Sequence, residues 1–425
     1  MKRIAIRGAG AAGCFCAANL RKMAPEVYVT LFEAGPKPMA KLAITGGGRC
    51  NLTNSFEGIR SLKEAYPRGE RVMKRALKEF SVQDTLDWFT SAGVPLTLQE
   101  DHCYFPVSQN AMDVVRCLQR GIKGCELKLN ALISEISPRA SLGRNDNNEL
   151  GRNDNMSTNR DNMSVISSEV EKSKWMVNGE CFDYVVITGG GGSIERIAAG
   201  LKLETVPPVP SLFTFNIKDK ALTSLMGLVV DASVSIPGSG FKADGPLLIT
   251  DWGLSGPAVL KLSSYAARYL SEAGYKASLS VNWLHSSESE VRDTLAVLAR
   301  ENAAKLLLST HLLPSRLWEH IVLKAGLRKD IRWGELGSKG MNKLVATLVG
   351  DNYFIEGKSK FREEFVTCGG VSLDAVELGT LQSKKYPGLY FAGEVLDIDA
   401  ITGGFNLQAA WSTGYIVAKS IVKSL

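Results

Sequence analysis

Apolar residues open the chain in a short block, Ile4-Ala5-Ile6, and Gly8-Ala9-Gly10-Ala11-Ala12-Gly13 follows, with small residues at helical spacing from Cys14 to Leu20. The pattern predicts a buried strand, a tight turn and a helix. A second apolar block over 27–32 predicts another strand, ending in Glu33. Residues 55–125 read as helical. There Ser81 and Asp84 have capping-box spacing, Leu86 and Phe89 form an apolar stripe and Gly93 ends the segment, while 109–122 forms a second helix closed by Gly124. Strand-like residues return over 126–136, 174–177 and 182–188, the last running into Gly189-Gly190-Gly191-Gly192.

Between these strands the pattern vanishes. Gly143-Arg144-Asn145-Asp146-Asn147 repeats at 151–155 and echoes at 160–162, with too few apolar residues to bury, so a disordered hairpin insertion is expected over 140–173. Residues 193–365 mix strands (212–217, 228–236, 246–250, 277–284) with helices (257–273, 289–308, 315–325, 341–349). They read as an inserted domain, splitting an α/β domain of residues 1–192 and 366–425. The C-terminal part has a buried strand over 387–394 and an Ala-rich helix that Thr402-Gly403-Gly404 opens.

At 425 residues, with 45% hydrophobic and 22% charged residues, the chain has globular composition and room for two or three domains. A net charge of +6 suits anionic cofactors, but the basic residues are not concentrated as nucleic-acid binding requires. Arg7 and the early glycines interrupt any signal-peptide core, and no apolar run spans a bilayer, so a cytoplasmic protein is expected. Eight scattered cysteines form no Cys-x-x-Cys pair, and four histidines lie apart from other ligand types. No metal site is expected.

The candidate chemistry begins at the first turn. In strand–Gly-x-Gly-x-x-Gly–helix, the first glycine permits the turn, the second lets backbone N–H groups approach a pyrophosphate and the third lets helix pack on strand. Glu33, twenty residues beyond Gly13, stands where an acid meets the adenosine ribose. Arg7 either adds charge near the pyrophosphate or points outward. Gly46-Gly47-Gly48-Arg49-Cys50-Asn51 is either a flexible loop or backbone passing close to a ligand, with Arg49 supplying charge and Asn51 hydrogen bonds. Cys50 is either a thiol of lowered pKa or simply buried. Tyr104-Phe105-Pro106 either approaches a substrate or anchors a loop, and 251–257 reads as a strand-to-helix turn. The glycines before the last helix again present N–H groups to electron-rich atoms. Two such helix starts imply a ligand longer than half a dinucleotide. FAD has that reach, with its adenosine end at Gly8 to Glu33 and its flavin end at Gly393 to Gln408.

Five stretches, at 8–13, 45–54 (Thr-Gly-Gly-Gly-Arg-Cys-Asn-Leu-Thr-Asn), 253–260, 366–371 and 388–411, resemble bacterial FAD flavoproteins of the aminoacetone-oxidase-like, NAD(P)/FAD-dependent oxidoreductase family, which includes a bile-acid-inducible flavin reductase. The resemblance implies a glutathione-reductase-like FAD domain split by an insert with a β-barrel-like and a helical part. It also implies a cofactor set: Gly8, Gly10, Ala12 and Gly13 at the pyrophosphate, Glu33 at the ribose, Lys41, Arg49 and Asn51 along the cofactor, Gly393 and Glu394 near the ribityl chain, and Gly404, Asn406 and Leu407 by the flavin. This chain departs from the family after Gly192, and at Asp251, where the family commonly has histidine. The expected activity is hydride transfer between flavin and a small organic substrate, with NAD(P)H or oxygen as electron partner. An FAD enzyme acting on tRNA and a non-catalytic FAD-binding protein are the alternatives. Asp251, Cys50 and Tyr104 are candidate acid–base groups, none of them assigned, and the oligomeric state is not readable.

Overall fold

Residues 1–138, 174–190, 194–358 and 366–425 are described by the computed structural model. The expected disordered insertion over 140–173 lies outside them, as does the start of the altered loop after Gly192. The chain divides into two compact units, one of residues 1–208, 369–399 and 403–425, the other of residues 209–368 with 400–402.

The first unit is built on five parallel strands: β1 (Arg3–Arg7), β2 (Tyr28–Phe32), β3 (Glu126–Lys128), β4 (Tyr184–Ile187) and β5 (Leu389–Phe391). Their order is β5-β4-β1-β2-β3, so the chain reverses direction across the sheet on either side of β1. All four residues of β4 are buried, the continuous apolar run expected of a strand covered on both faces. Helix α1 (Ala11–Met23) follows β1, and α2 (Phe405–Lys423) ends the chain. Gly414 lets the two helices touch, because a Cβ there would lie 2.9 Å from the Ala12 carbonyl oxygen. Next to that contact Phe15 packs among Phe80, Trp88, Phe89 and Trp411, with ring centroids 4.7–5.9 Å away.

Local signals held where they were strong. Ser81 and Asp84 make both bonds of the capping box that starts helix Val82–Ser91, and Asn110 caps helix Ala111–Gly121. The all-helical reading of 55–125 is corrected, however. Thr53–Asn54, Cys103–Pro106 and Leu96–Leu98 form a three-stranded antiparallel sheet, whose members are too short to show a period of two.

The second unit holds an antiparallel sheet in the order 351–355, 277–282, 229–235, 242–250, 253–255, 215–216, 357–358. Its two outermost strands are consecutive in sequence, separated by Glu356 alone, so one bent strand pairs at both edges and closes the sheet into a barrel. Closure removes the exposed edges. Helices Glu288–Glu301, Ser315–Lys324 and Gly337–Val349 form the helical part, with Trp283, Trp318 and Trp333 in a shared core.

Three boundaries in this unit differ from expectation. The strand expected over 212–217 is interrupted at Leu212, whose φ of 57° is left-handed. The helix over 257–273 breaks at Ala266 into Pro257–Tyr265 and Ala267–Glu272. The 251–257 stretch first completes a hairpin, Lys242–Thr250 turning into Gly253–Ser255, and only then starts a helix with Pro257. Gly253 is required there, since a Cβ would lie 2.2 Å from the Phe215 carbonyl oxygen.

Candidate functional site

The glycine turn sits at the carboxyl end of β1, and its three glycines differ in kind. Gly8 has φ 103° and donates its N–H to Phe32 O at 2.8 Å. A Cβ on Gly13 would lie 2.0 Å from Gly8 O and 2.6 Å from Thr188 Oγ1. Around Gly10 there is nothing within 4 Å of a Cβ. The first glycine thus answers to backbone conformation and the third to packing, while the second faces open space. No side chain caps the start of α1, and its first turn carries no acid, so its N–H groups and positive dipole end face outward.

Glu33 braces the turn from β2. Its Oε2 accepts the Ala9 N–H and its Oε1 the Gly35 N–H, both at 2.9 Å, and each oxygen keeps a further lone pair for a hydroxyl. Arg7 does not point outward, being only 6% exposed. Burial pulls its pKa down, and the attraction of Glu33 opposes that.

The ends of β4 and β5 join this turn. Thr188 Oγ1 donates to Gly8 O at 2.8 Å, and a Cβ on Gly8 would lie 3.0 Å from Gly189 N. Gly393 donates to Thr413 Oγ1 at 2.9 Å and lies so close that a Cβ would come within 2.8 Å of Ala12 Cβ. The next residue, Glu394, has its Oε2 2.6 Å from where a Cβ of Gly190 would stand, and it pairs with Lys41 at 3.7 Å.

The Thr45–Asn54 loop packs on the start of α2. Gly46, Gly47 and Gly48 have φ of 59°, 68° and 82°, a left-handed run that side chains resist. Its far end is pinned by long-range bonds: Trp411 Nε1 donates to Leu52 O at 3.0 Å, Thr53 Oγ1 to Gln408 Oε1 at 2.5 Å, and Asn54 Nδ2 to Gly403 O at 3.0 Å. Gln408 is fully buried and also accepts from Thr85 Oγ1 at 3.0 Å and donates to Ser412 Oγ at 2.9 Å. Gly404 caps α2 at φ 87°, and a Cβ on it would lie 2.5 Å from Asn51 Oδ1. That amide oxygen is buried with no hydrogen-bond partner. Asn406 and Leu407 are half-buried in the first turn of α2, again without a side-chain cap or an acid.

Arg49 is exposed and lies 4.6 Å from the centroid of the Phe105 ring. The lowered-pKa reading of Cys50 is corrected: the residue is fully buried and its thiol is pushed up to about 12. Cys103, which the sequence did not single out, lies closer to the site, its Sγ 3.6 Å from Gly403 O, and burial raises its thiol to about 11. Only its strand pairing with Asn54 brings it there. Tyr104 is half-buried on the same strand, while Asp251 is exposed on the hairpin turn of the second unit. The second unit also brings Ser233 and Asp244 to His285, at 2.5 and 3.4 Å, but both meet the one nitrogen Nδ1. A proton relay needs both ring nitrogens, so this trio is not a nucleophilic triad. Among the described residues no three His, Cys, Asp or Glu side chains gather as a metal site, and no helix is long and apolar enough to cross a membrane.

Residues 2–420 match the family described as HI0933-like protein Rossmann domain. The chain belongs to that family. It is thereby placed among FAD-dependent oxidoreductases with a Rossmann-type domain, the class expected from its sequence. It is 29% identical over 432 residues to the ribosomal RNA dihydrouridine synthase of Haemophilus influenzae, covering 98% of this chain and 97% of that protein. It is 27% identical to the 3-dehydro-bile acid delta(4,6)-reductase of Clostridium scindens, covering 99% of each. Among solved structures, the 3-ketosteroid delta1-dehydrogenase of Sterolibacterium denitrificans aligns over 100% of both chains at 12% identity and a TM-score of 0.49.

Proposed function

We propose that this protein is an FAD-dependent reductase that draws electrons from NAD(P)H and reduces a carbon–carbon double bond conjugated to a carbonyl in a small organic substrate. The observation that carries the reading is the pair of glycine-opened, side-chain-free helix starts within one unit. Gly414 rests on Ala12 at the start of α1, and Gly404 lies ten residues earlier on α2, which is about 15 Å at 1.5 Å per residue. Two electropositive ends at that spacing suit an elongated dinucleotide. The bile-acid relative adds the direction of reaction, since its name is that of a delta(4,6)-reductase.

Bound FAD supplies the hydride exchange. The protein residues bind and orient. The Gly10 to Gly13 N–H groups receive the pyrophosphate, and Ala12 leaves room beside Gly393. Glu33 takes ribose hydroxyls with its remaining lone pairs, and Lys41 and Glu394 flank the chain between the two ends. Asn51 offers its unpartnered Oδ1 to a ligand N–H, Arg49 adds positive charge, and Gly404, Asn406 and Leu407 set the dipole end of α2 against negative charge gathered on the ring system. A nicotinamide electron source and eight free thiols fit the cytoplasm.

A second reading makes the substrate a uridine base within RNA, and the name of the Haemophilus influenzae relative favours it. The test serves both. The purified protein is expected to show a flavin spectrum that bleaches within seconds of anaerobic NADH or NADPH addition and recovers when a conjugated enone or uridine-containing RNA is added. A protein colourless even after FAD addition sinks the reading, and a flavin that NAD(P)H leaves oxidised removes the nicotinamide partner.

A further inference from the structure

The two glycines that open α2 have the least rigid backbone in the site. Gly403 and Gly404 have φ of 121° and 87°, and no side chain caps the helix they start. Two adjacent glycines hold no direction by themselves. Yet the first N–H groups of α2 act on a ligand only if they point at it, so their direction has to be fixed from outside.

It is fixed by one short stretch, Tyr66 to Gly69, together with Asn54. Tyr66 is fully buried, and its hydroxyl donates to Phe405 O at 2.8 Å, just beyond the glycines. Burial pushes the Tyr66 phenol up, which keeps its proton and therefore the bond in place. On the other side of the glycines the Arg68 guanidinium forks onto Asp399. Its Nε donates to Oδ1 at 2.6 Å and its Nη2 to Oδ2, and the two backbones meet in an antiparallel bridge. The Asp399 side chain is fully buried and that of Arg68 is 11% exposed, so water does little to screen the pair. Gly69, at φ 84°, lets the stretch approach so closely that a Cβ there would lie 2.7 Å from Ile398 Cγ1. Between these anchors Asn54 Nδ2 donates to Gly403 O at 3.0 Å. The glycine pair is thus tied before, at and after its own position, by groups 331 to 349 residues away in the chain.

The same helix supplies a contrast. At its far end the Tyr184 hydroxyl donates to Ser424 O at 2.9 Å. α2 has 19 residues, about 28 Å, so a tyrosine hydroxyl meets a backbone carbonyl at each end, and only the Tyr66 bond lies beside the glycines.

We infer that Tyr66 and Arg68 are positioning residues for flavin reduction. By fixing the Gly403–Gly404 opening they aim the first N–H groups of α2 at the negative charge that reduction places on the flavin. A well-aimed dipole end favours the reduced form over the neutral oxidised ring, so loosening it lowers the reduction potential. The inference rests on the FAD reading above and adds to it the residues that set the potential of the bound cofactor.

The experiment is the reduction potential of the FAD-loaded full chain, read against a reference dye without NAD(P)H or substrate, beside the melting temperature of the apo protein. Tyr66→Phe removes one hydroxyl and keeps the ring contacts with Phe56 and Phe405. Its potential is expected to fall by about 10–20 mV. That is a roughly two- to fivefold weaker hold on reduced relative to oxidised flavin, converted at about 30 mV per tenfold. Tyr184→Phe lowers the melting temperature of the apo protein comparably and leaves the potential unchanged. Arg68→Lys keeps the charge and gives up the fork, so it lowers the potential too, and it carries the test where the Tyr66 variant does not fold. An unchanged potential in either folded variant overturns the proposal, as does an equal shift in Tyr184→Phe. A protein that takes up no FAD overturns both this proposal and the reading beneath it, whereas FAD taken up with unshifted potentials overturns this proposal alone.

Discussion

Two buried polar networks, one in each unit, show how differently a fold treats polar groups. In the second unit Asp351, 2% exposed, accepts from Trp283 Nε1 at 2.9 Å and Tyr353 OH at 2.6 Å and pairs with Lys324 at 2.5 Å. The Lys324 ammonium also sits 3.5 Å from the centroid of the Tyr353 ring, and His320, its pKa lowered by burial, lies 3.5 Å from the tyrosine hydroxyl. Each of these polar groups has a partner, so this network holds the barrel strand to the helix beside it. In the first unit Gln408 is just as well satisfied, by Thr53, Thr85, Ser81 and Ser412, whereas Asn51 Oδ1, on the loop that Gln408 holds, is buried and unpartnered beside a glycine that leaves no room for a side chain. A buried acceptor without a donor costs about 1–3 kcal/mol. Under the proposed function, that open oxygen is the one a ligand N–H would meet.

The largest expected effect breaks the closed network. Asp351→Ala leaves the Lys324 charge, the Trp283 indole N–H and the Tyr353 hydroxyl without their shared acceptor. We expect about 3 kcal/mol of destabilisation, discounted for the partly exposed lysine, read by denaturant unfolding, with FAD affinity unchanged below the transition. A lowered FAD affinity at full stability would end the view of this network as purely structural.

Gln408→Ala comes next. It removes the acceptor of Thr53 and Thr85 and loosens the loop from α2, costing about 2 kcal/mol. Titration with FAD should show weaker binding as well, because the loop that carries Asn51 is no longer held. Stability lost with affinity intact would separate the loop from the cofactor site.

Asn51→Leu sharpens the comparison most while changing stability least. Removing the unpartnered acceptor relieves its burial cost while the amide's hydrogen bond to Cys103 is lost, so the apo protein should stay within about 0.5 kcal/mol of its original stability. FAD affinity should nonetheless fall roughly tenfold, the equivalent of one lost hydrogen bond of about 1.4 kcal/mol. Unfolding of the apo variant would show that Asn51 is a structural residue after all.

Much of the first unit was legible in the chain because its signals are local. Gly8, Gly10 and Gly13 act within one turn, and Ser81 with Asp84 within one helix start. The three short strands at 53–54, 96–98 and 103–106 were not legible, since each takes its meaning from partners up to about fifty residues away. The same holds for Cys103, placed at the site by pairing rather than by any motif.

By itself, then, the sequence determined the glycine turn, the acid that braces it, the caps and the two-part α/β organisation around an insert, because backbone sterics and capping bonds depend on residues a few positions apart. Tertiary structure alone decided that Glu356 closes a barrel, that Gln408 holds the Thr45–Asn54 loop, that Arg7 is buried, and that Tyr66 and Arg68 tie down the opening of α2. Those outcomes depend on packing between segments tens to hundreds of residues apart, for which no local pattern exists to be read.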